Sequence, residues 1–156
     1  MEMTQEQREA YYQALTKHVN ESRGYPKLSN IRVLKIEPNY CEGELSITPD
    51  VCNYLGIVHG GCLAALADTV AGVAACSTGT GTVTLSYGFN FLRPATGDKI
   101  RCVARPEKVG KQITVFCCTL TNDEGKTVAS GQFTFFMTGP MKLQAESQDQ
   151  KTQNST

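Results

Sequence analysis

The residues best suited to chemistry lie between Asn53 and Asp68. Asp68 stands inside the run from Val58 to Cys76, VHGGCLAALADTVAGVAAC, whose other members are almost all small or apolar. Burying a carboxylate in such surroundings is costly unless it is paired or hydrogen-bonded. Two readings follow: a structural Asp satisfied by Thr69 or by loop amides, or a general base or nucleophile adapted to its task by burial. Upstream, His59-Gly60-Gly61 stands where a helix should begin, after Asn53-Tyr54-Leu55-Gly56. Two glycines there let a ligand approach unpaired N–H groups, and the helix dipole favours negative charge developing at that end. The pair alone would equally suit a tight entry turn. Its combination with the downstream acid is what outlines an oxyanion site.

Helix geometry then sets a condition. Gly60 and Asp68 are eight residues apart, about 12 Å along a helix axis, so one helix cannot bring both to one reacting carbonyl. If both act on one substrate, two helices meet. An isologous homodimer, with the Gly60 amide from one chain and Asp68 from the other, satisfies this.

Other chemistries find little support in the residues present. The chain has two histidines, His18 and His59, and no G-x-S-x-G elbow, which leaves a serine hydrolase without parts. His18 has no second ligand nearby and reads as a packed or surface residue. No His/Cys pair sits at ligand spacing, so neither a metal nor another cofactor is expected.

The elements that must position these groups are legible from periodicity. Thr4 with Gln7 is a capping-box signature, and Tyr11, Ala14, Leu15 and His18 follow at helical spacing until Gly24-Tyr25-Pro26. Strand patterns run from Ile31 to Ile36 and from Cys41 to Thr48, parted by Pro38-Asn39, which suggests a hairpin. The Val58 to Cys76 helix is apolar all round, hence buried, yet too short, interrupted by a carboxylate and without Lys/Arg flanks to span a membrane. After a turn at Gly79 to Thr82 come strands at Val83 to Leu92, Ile100 to Arg105, Gln112 to Thr121 and Thr127 to Met137. The first alternates Val83, Leu85, Tyr87, Phe89 and Phe91 on one face, and turns of this size predict an antiparallel meander. The expected architecture is α+β, with one antiparallel sheet of about six strands wrapped around one long helix, plus an N-terminal helix.

The 156 residues suit a single domain, with 15 Lys+Arg against 15 Asp+Glu and no basic run, so nucleic acid is not an expected partner. Seven cysteines, odd in number and without a C-x-x-C pair, read as reduced core thiols of a cytoplasmic protein. The start, MEMTQEQREA, has neither the cationic and apolar regions of a secretory signal nor a transit-peptide composition.

The pattern Asn53, Gly56, His59-Gly60-Gly61 and Asp68, followed by Phe91-Leu92-Arg93-Pro94-Ala95, resembles the PaaI-type branch of hotdog-fold acyl-CoA thioesterases over roughly Leu34 to Gly139. The resemblance implies an acyl-CoA substrate, dimers that often pair into tetramers, and Asp68 as the catalytic carboxylate that activates water or attacks the thioester. It further implies that the Gly60 N–H polarises the carbonyl, that Asn53 and His59 position carbonyl or water, and that Thr84 stands near the acid. Thioester hydrolysis suits these groups, because a thiolate leaves with little need of a proton.

The phosphates of CoA need cations or free amides. Arg93, Arg101, Arg105, Lys108 and Lys111 are expected to cluster in the second half of the sheet, and Gly110 would let the backbone approach closely. Arg93, Lys108, Gly110, Lys111 and the second amide, Gly61, are the expected substrate-binding residues. Tyr54, Leu55, Tyr87 and Phe89 are candidates for the acyl pocket. Residues 1–30 are expected to form a helical extension, 31–140 the hotdog domain and 141–156 a disordered tail. The competing functions are a non-catalytic acyl-CoA-binding or sensing module and a hotdog dehydratase.

Overall fold

The computed structural model describes residues 3–141 and 143. Most of the tail expected from position 141 onward therefore lies outside the described residues.

Thr4 caps α1 (Gln5–Glu21): its hydroxyl accepts from Gln7 N–H, and the Gln7 side chain accepts from Thr4 N–H. Pro26, expected only to stop this helix, also starts a second short one, α2 (Tyr25–Leu28), because its fixed φ suits the first turn. Strands β1 (Ile31–Glu37) and β2 (Tyr40–Ser46) form the expected hairpin, with Asn39 in the left-handed region at its turn. Helix α3 (Gly60–Cys76) follows, then β3 (Thr80–Phe91), β4 (Lys99–Lys108), β5 (Ile113–Thr121) and β6 (Thr127–Pro140).

All six strands join one antiparallel sheet in the order β1-β2-β4-β5-β6-β3. Only β4-β5-β6 is a meander; β3 pairs with β6 rather than with its sequence neighbour β4. The residues between β3 and β4 carry the chain across three strand spacings, roughly 14 Å, which a short extended segment can span. They are tied down on the way. Leu92 and Arg93 N–H donate to Val128 C=O, Ala95 C=O accepts from Val58 N–H, and Asp98 C=O accepts from Ile47 N–H. The turn expected over Gly79 to Thr82 narrows to Gly79, at φ 85°, since Thr80, Gly81 and Thr82 already pair with β6.

The core lies between the sheet and α3. Leu66, Ala67, Val70, Ala71 and Ala74 are buried against Leu45, Ile100, Phe116, Leu120, Phe133 and Phe135. Gly43 on β2 permits this approach, since a Cβ there would lie 2.5 Å from Val70 Cγ2. Burial of each large side chain contributes about 1.5–3 kcal/mol. The expectation of a helix buried on every side needs correction. Gly61 is exposed, and Ala64, Ala65, Asp68, Thr69 and Gly72 are only half-buried, because the sheet covers one side of α3. No helix among the described residues is long and apolar enough to cross a membrane.

Candidate active site

The loop before α3 folds back on itself. Cys52 and Val58 form an antiparallel bridge, His59 N–H donates to Val51 C=O, and Asn53 N–H donates to Ile57 C=O. Within it the Asn53 Oδ1 accepts from Leu55 N–H at 2.9 Å, an Asx turn, and Gly56 adopts φ 75°. Tyr54 is 95% exposed and Leu55 also faces solvent, so neither lines a pocket within the single chain.

This fold-back delivers His59 to the N-cap of α3, where its Nδ1 accepts from Gly61 N–H at 2.8 Å. The Gly61 amide is therefore engaged in the cap. Gly60 N–H, the first amide of the helix, has no acceptor among the described residues, and it points outward where the helix dipole is positive. The Phe91 ring lies against Gly60: a Cβ built on this glycine would stand 3.1 Å from two ring carbons.

More than two turns further along α3, Asp68 Oδ1 accepts from Thr84 Oγ1 at 2.8 Å. The acid is half-buried rather than enclosed, and its partner is Thr84, not Thr69. The pairing depends on an irregularity in β3. Thr84 opposes Phe135 and Tyr87 opposes Phe133, both buried on the helix side, but the register shifts by one residue between Thr84 and Ser86. The bulge breaks the expected alternation. Val83 opposes the partly exposed Phe136 on the outer face, while Tyr87, Phe89 and Phe91 remain on the inner face. Without the extra residue, Thr84 and Tyr87 could not share a face.

Gly60 is thus level with Phe91 at the end of β3, and Asp68 with Thr84 nearer its start. One helix and one strand hold the two groups about 12 Å apart along α3.

The expected cation cluster is divided. The Arg93 guanidinium donates to Thr127 C=O at 2.7 Å, at the Phe91 end of the sheet. Lys108 and Lys111 are exposed at the β4–β5 turn, where Gly110 is required because a Cβ would collide with the Ile113 carbonyl. Lys108 pairs with Val115, which pairs with Thr134 beside Ser86, so this turn is level with the Thr84 end of β3. Arg101 and Arg105 lie on the outer face opposite Thr121 and Cys117, and Arg105 covers the Tyr40 ring at 4.9 Å.

None of the perturbed thiols is poised as a nucleophile. Burial pushes Cys41, Cys76 and Cys102 up, and the exposed Cys117 is pushed up to about 11, chiefly by its hydrogen bond to Glu107. The carboxylate of Glu107 is correspondingly lowered by Cys117 and Gln132.

Comparison with known proteins identifies the family. A family model described as Thioesterase superfamily matches residues 55–129, a span that takes in Gly60, Asp68, Thr84 and Arg93. The acyl-coenzyme A thioesterase PaaI of Escherichia coli strain K12 is 30% identical over 110 residues, 70% of this chain and 79% of PaaI. Human acyl-coenzyme A thioesterase 13 is 32% identical over 136 residues, 85% of this chain and 94% of the human protein. A hypothetical thioesterase of Streptococcus pneumoniae TIGR4, solved with coenzyme A, has a TM-score of 0.69 at 28% identity, covering 72% of this chain and 92% of that one. Two further structures of the pneumococcal protein carry an Asp-to-Ala and a Thr-to-Ala substitution at positions sixteen apart, the separation of Asp68 and Thr84 here. An antiparallel six-stranded sheet wrapped around one long helix is the hotdog fold, and the chain belongs to the thioesterase superfamily, in its PaaI-type branch.

Proposed function

We propose that this protein hydrolyses an acyl-CoA thioester to free acid and CoA, in a site that two subunits build together. Asp68 of one subunit acts as general base or nucleophile, oriented by the Thr84 hydroxyl. The Gly60 N–H of the other donates to the carbonyl oxygen and stabilises the negative charge that develops on it. Asn53 and His59 shape the loop that presents this amide.

The observation that carries the reading is the pair of half-sites on one helix: an unpartnered amide at one end and a hydroxyl-oriented acid about 12 Å away. Beside them β3 offers its free edge, with Val83, Leu85, Tyr87 and Phe91 each 51–57% exposed. Antiparallel pairing of β3 with its copy turns the Phe91 end of one subunit toward the Thr84 end of the other. It also turns Arg93 of one chain toward the Lys108–Lys111 turn of its partner, where cations and the Gly110 backbone would meet the CoA phosphates. Pairing of two such dimers into a tetramer has the outer-face row of Val83 and Phe136 available. The same reading assigns residues 31–140 to the hotdog domain, 1–30 to a helical extension and the protein to the cytoplasm, where its seven free thiols stay reduced.

Asp68→Ala should lower thiol release from acyl-CoA on the order of 10²-fold or more. The shared site is tested by mixing Asp68→Ala subunits with inactive His59→Ala subunits. Each mixed dimer regains one intact site, so an equal mixture recovers about a quarter of wild-type turnover. Undiminished turnover of Asp68→Ala sinks the catalytic assignment, and a mixture as inactive as its components sinks the shared site. Tight binding of acyl-CoA without hydrolysis of any acyl group would favour the carrier reading.

A further inference from the structure

Gly60 is glycine for a reason its own backbone does not supply. It is a helical residue without positive φ, a place where alanine would ordinarily be preferred. What crowds a side chain there is the Phe91 ring, with two carbons 3.1 Å and a third 3.7 Å from where a Cβ would stand. The ring is held in place from behind. Phe89 meets it edge-on at 5.1 Å, Phe89 meets the buried Phe133 edge-on at 6.1 Å, and Tyr87 stacks on Phe133 at 5.0 Å. Gly131 makes room for Phe89, whose ring a Cβ there would strike. The strand end is clamped by the bonds from Leu92 and Arg93 to Val128 and from the Arg93 guanidinium to Thr127. Yet Phe91 remains 57% exposed, so part of a braced ring stays open next to Gly60.

We propose that Phe91 is a specificity-determining residue: its braced ring is the wall against which the acyl group lies beside the thioester carbonyl, admitting an unbranched α-carbon and rejecting an α-branched one. The inference rests on the assignment of Gly60 N–H as the carbonyl donor. A carbonyl oxygen about 2.9 Å from that nitrogen places the next carbon of the acyl chain within van der Waals reach of the ring. A methyl branch at that carbon presses on the ring, which its contact with Phe89 keeps from yielding. The apolar wall suits the acyl arm rather than the amide-bearing pantetheine arm. It also keeps water from competing for the amide, which strengthens the bond to the oxyanion.

The test compares wild type, Phe91→Ala, Gly60→Ala and the double variant Phe91→Ala/Gly60→Ala on butyryl-CoA and 2-methylbutyryl-CoA, with thermal unfolding of each. Wild type should favour the unbranched substrate, and Phe91→Ala should shrink the ratio of the two kcat/KM values by roughly tenfold, the scale on which one methyl group is discriminated. Gly60→Ala should lose activity and unfold at lower temperature. In the Phe91→Ala background the Gly60→Ala change should lower the unfolding temperature less than it does in wild type, because the ring no longer opposes the added Cβ. An unchanged substrate ratio in Phe91→Ala overturns the wall. A Gly60→Ala change that costs as much stability in the Phe91→Ala background as in wild type overturns the packing argument. If Phe91→Ala shifts the substrate ratio as expected while Asp68→Ala turns over like wild type, the failure lies in the assignment of the acid and not in the role of Phe91.

Discussion

The two edges of the sheet are treated in opposite ways. At the β1 edge, the Asn20 side chain of α1 mimics a neighbouring strand: its carboxamide donates to Val33 C=O at 2.9 Å and accepts from Val33 N–H at 2.8 Å. That edge also carries a register irregularity at Leu34, an exposed Lys35–Glu37 ion pair at 2.9 Å and Arg32, all features that discourage pairing with another chain. The β3 edge is longer, pairs with no further strand among the described residues, and shows apolar side chains to solvent. One edge is closed by the chain's own N-terminal helix. The other is left open, and Gly60 and Asp68, the two proposed half-sites, stand beside it.

The contrast is broken most severely by placing a charge on the open edge. Leu85→Lys should convert the protein to monomers in size-exclusion chromatography with light scattering. Turnover should fall on the order of 10²-fold, because Gly60 and Asp68 of one chain cannot reach the same carbonyl. A fully active monomer would refute the shared site even though the fold is right. Next in size is Thr84→Val, which keeps the β-branched shape and removes only the hydroxyl bonded to Asp68. A net hydrogen bond to a charged group is worth roughly 1.5–3 kcal/mol, so kcat should drop about tenfold to a hundredfold, with dimerisation unchanged. An equal drop in a variant that has also lost the dimer would move the cause from the acid to the edge. The closed edge gives the smallest catalytic effect: Asn20→Ala leaves Val33 N–H and C=O without their partner. It should cost about 1–3 kcal/mol in urea unfolding, while turnover per folded dimer stays at the wild-type level. A large loss of turnover there would show that the two edges are not independent.

Much of this was legible along the chain because it depends on near neighbours. The Thr4–Gln7 cap, the Pro38-Asn39 hairpin, the start of α3 at His59-Gly60-Gly61 and the strands β5 and β6 all follow from interactions within a few residues. The separation of Gly60 from Asp68 follows in the same way from helical rise alone. Strand order did not follow, since alternation says which residues share a face and is silent on which strand lies alongside. The pairing of β3 with β6 was therefore missed, as was the bulge that turns Thr84 toward Asp68. Only a break in alternation marks such a bulge, and in VTLSYGFNF the apolar spacing runs straight through it.

Composition likewise showed that α3 must be covered, but not by what. An apolar helix carries the same hydrophobic demand whether its own sheet or another chain meets it. The sequence by itself determined that a helix begins at a glycine pair, carries one acid about two turns on, and packs against a sheet of about six strands. The tertiary structure decided which amide stays open, which hydroxyl reaches the acid, why residue 60 has no side chain, and which edge of the sheet is left free. The first follows from the local His59–Gly61 cap, and the other three hang on contacts between residues distant along the chain, such as Asp68 with Thr84. Such contacts exist only once the chain has closed on itself.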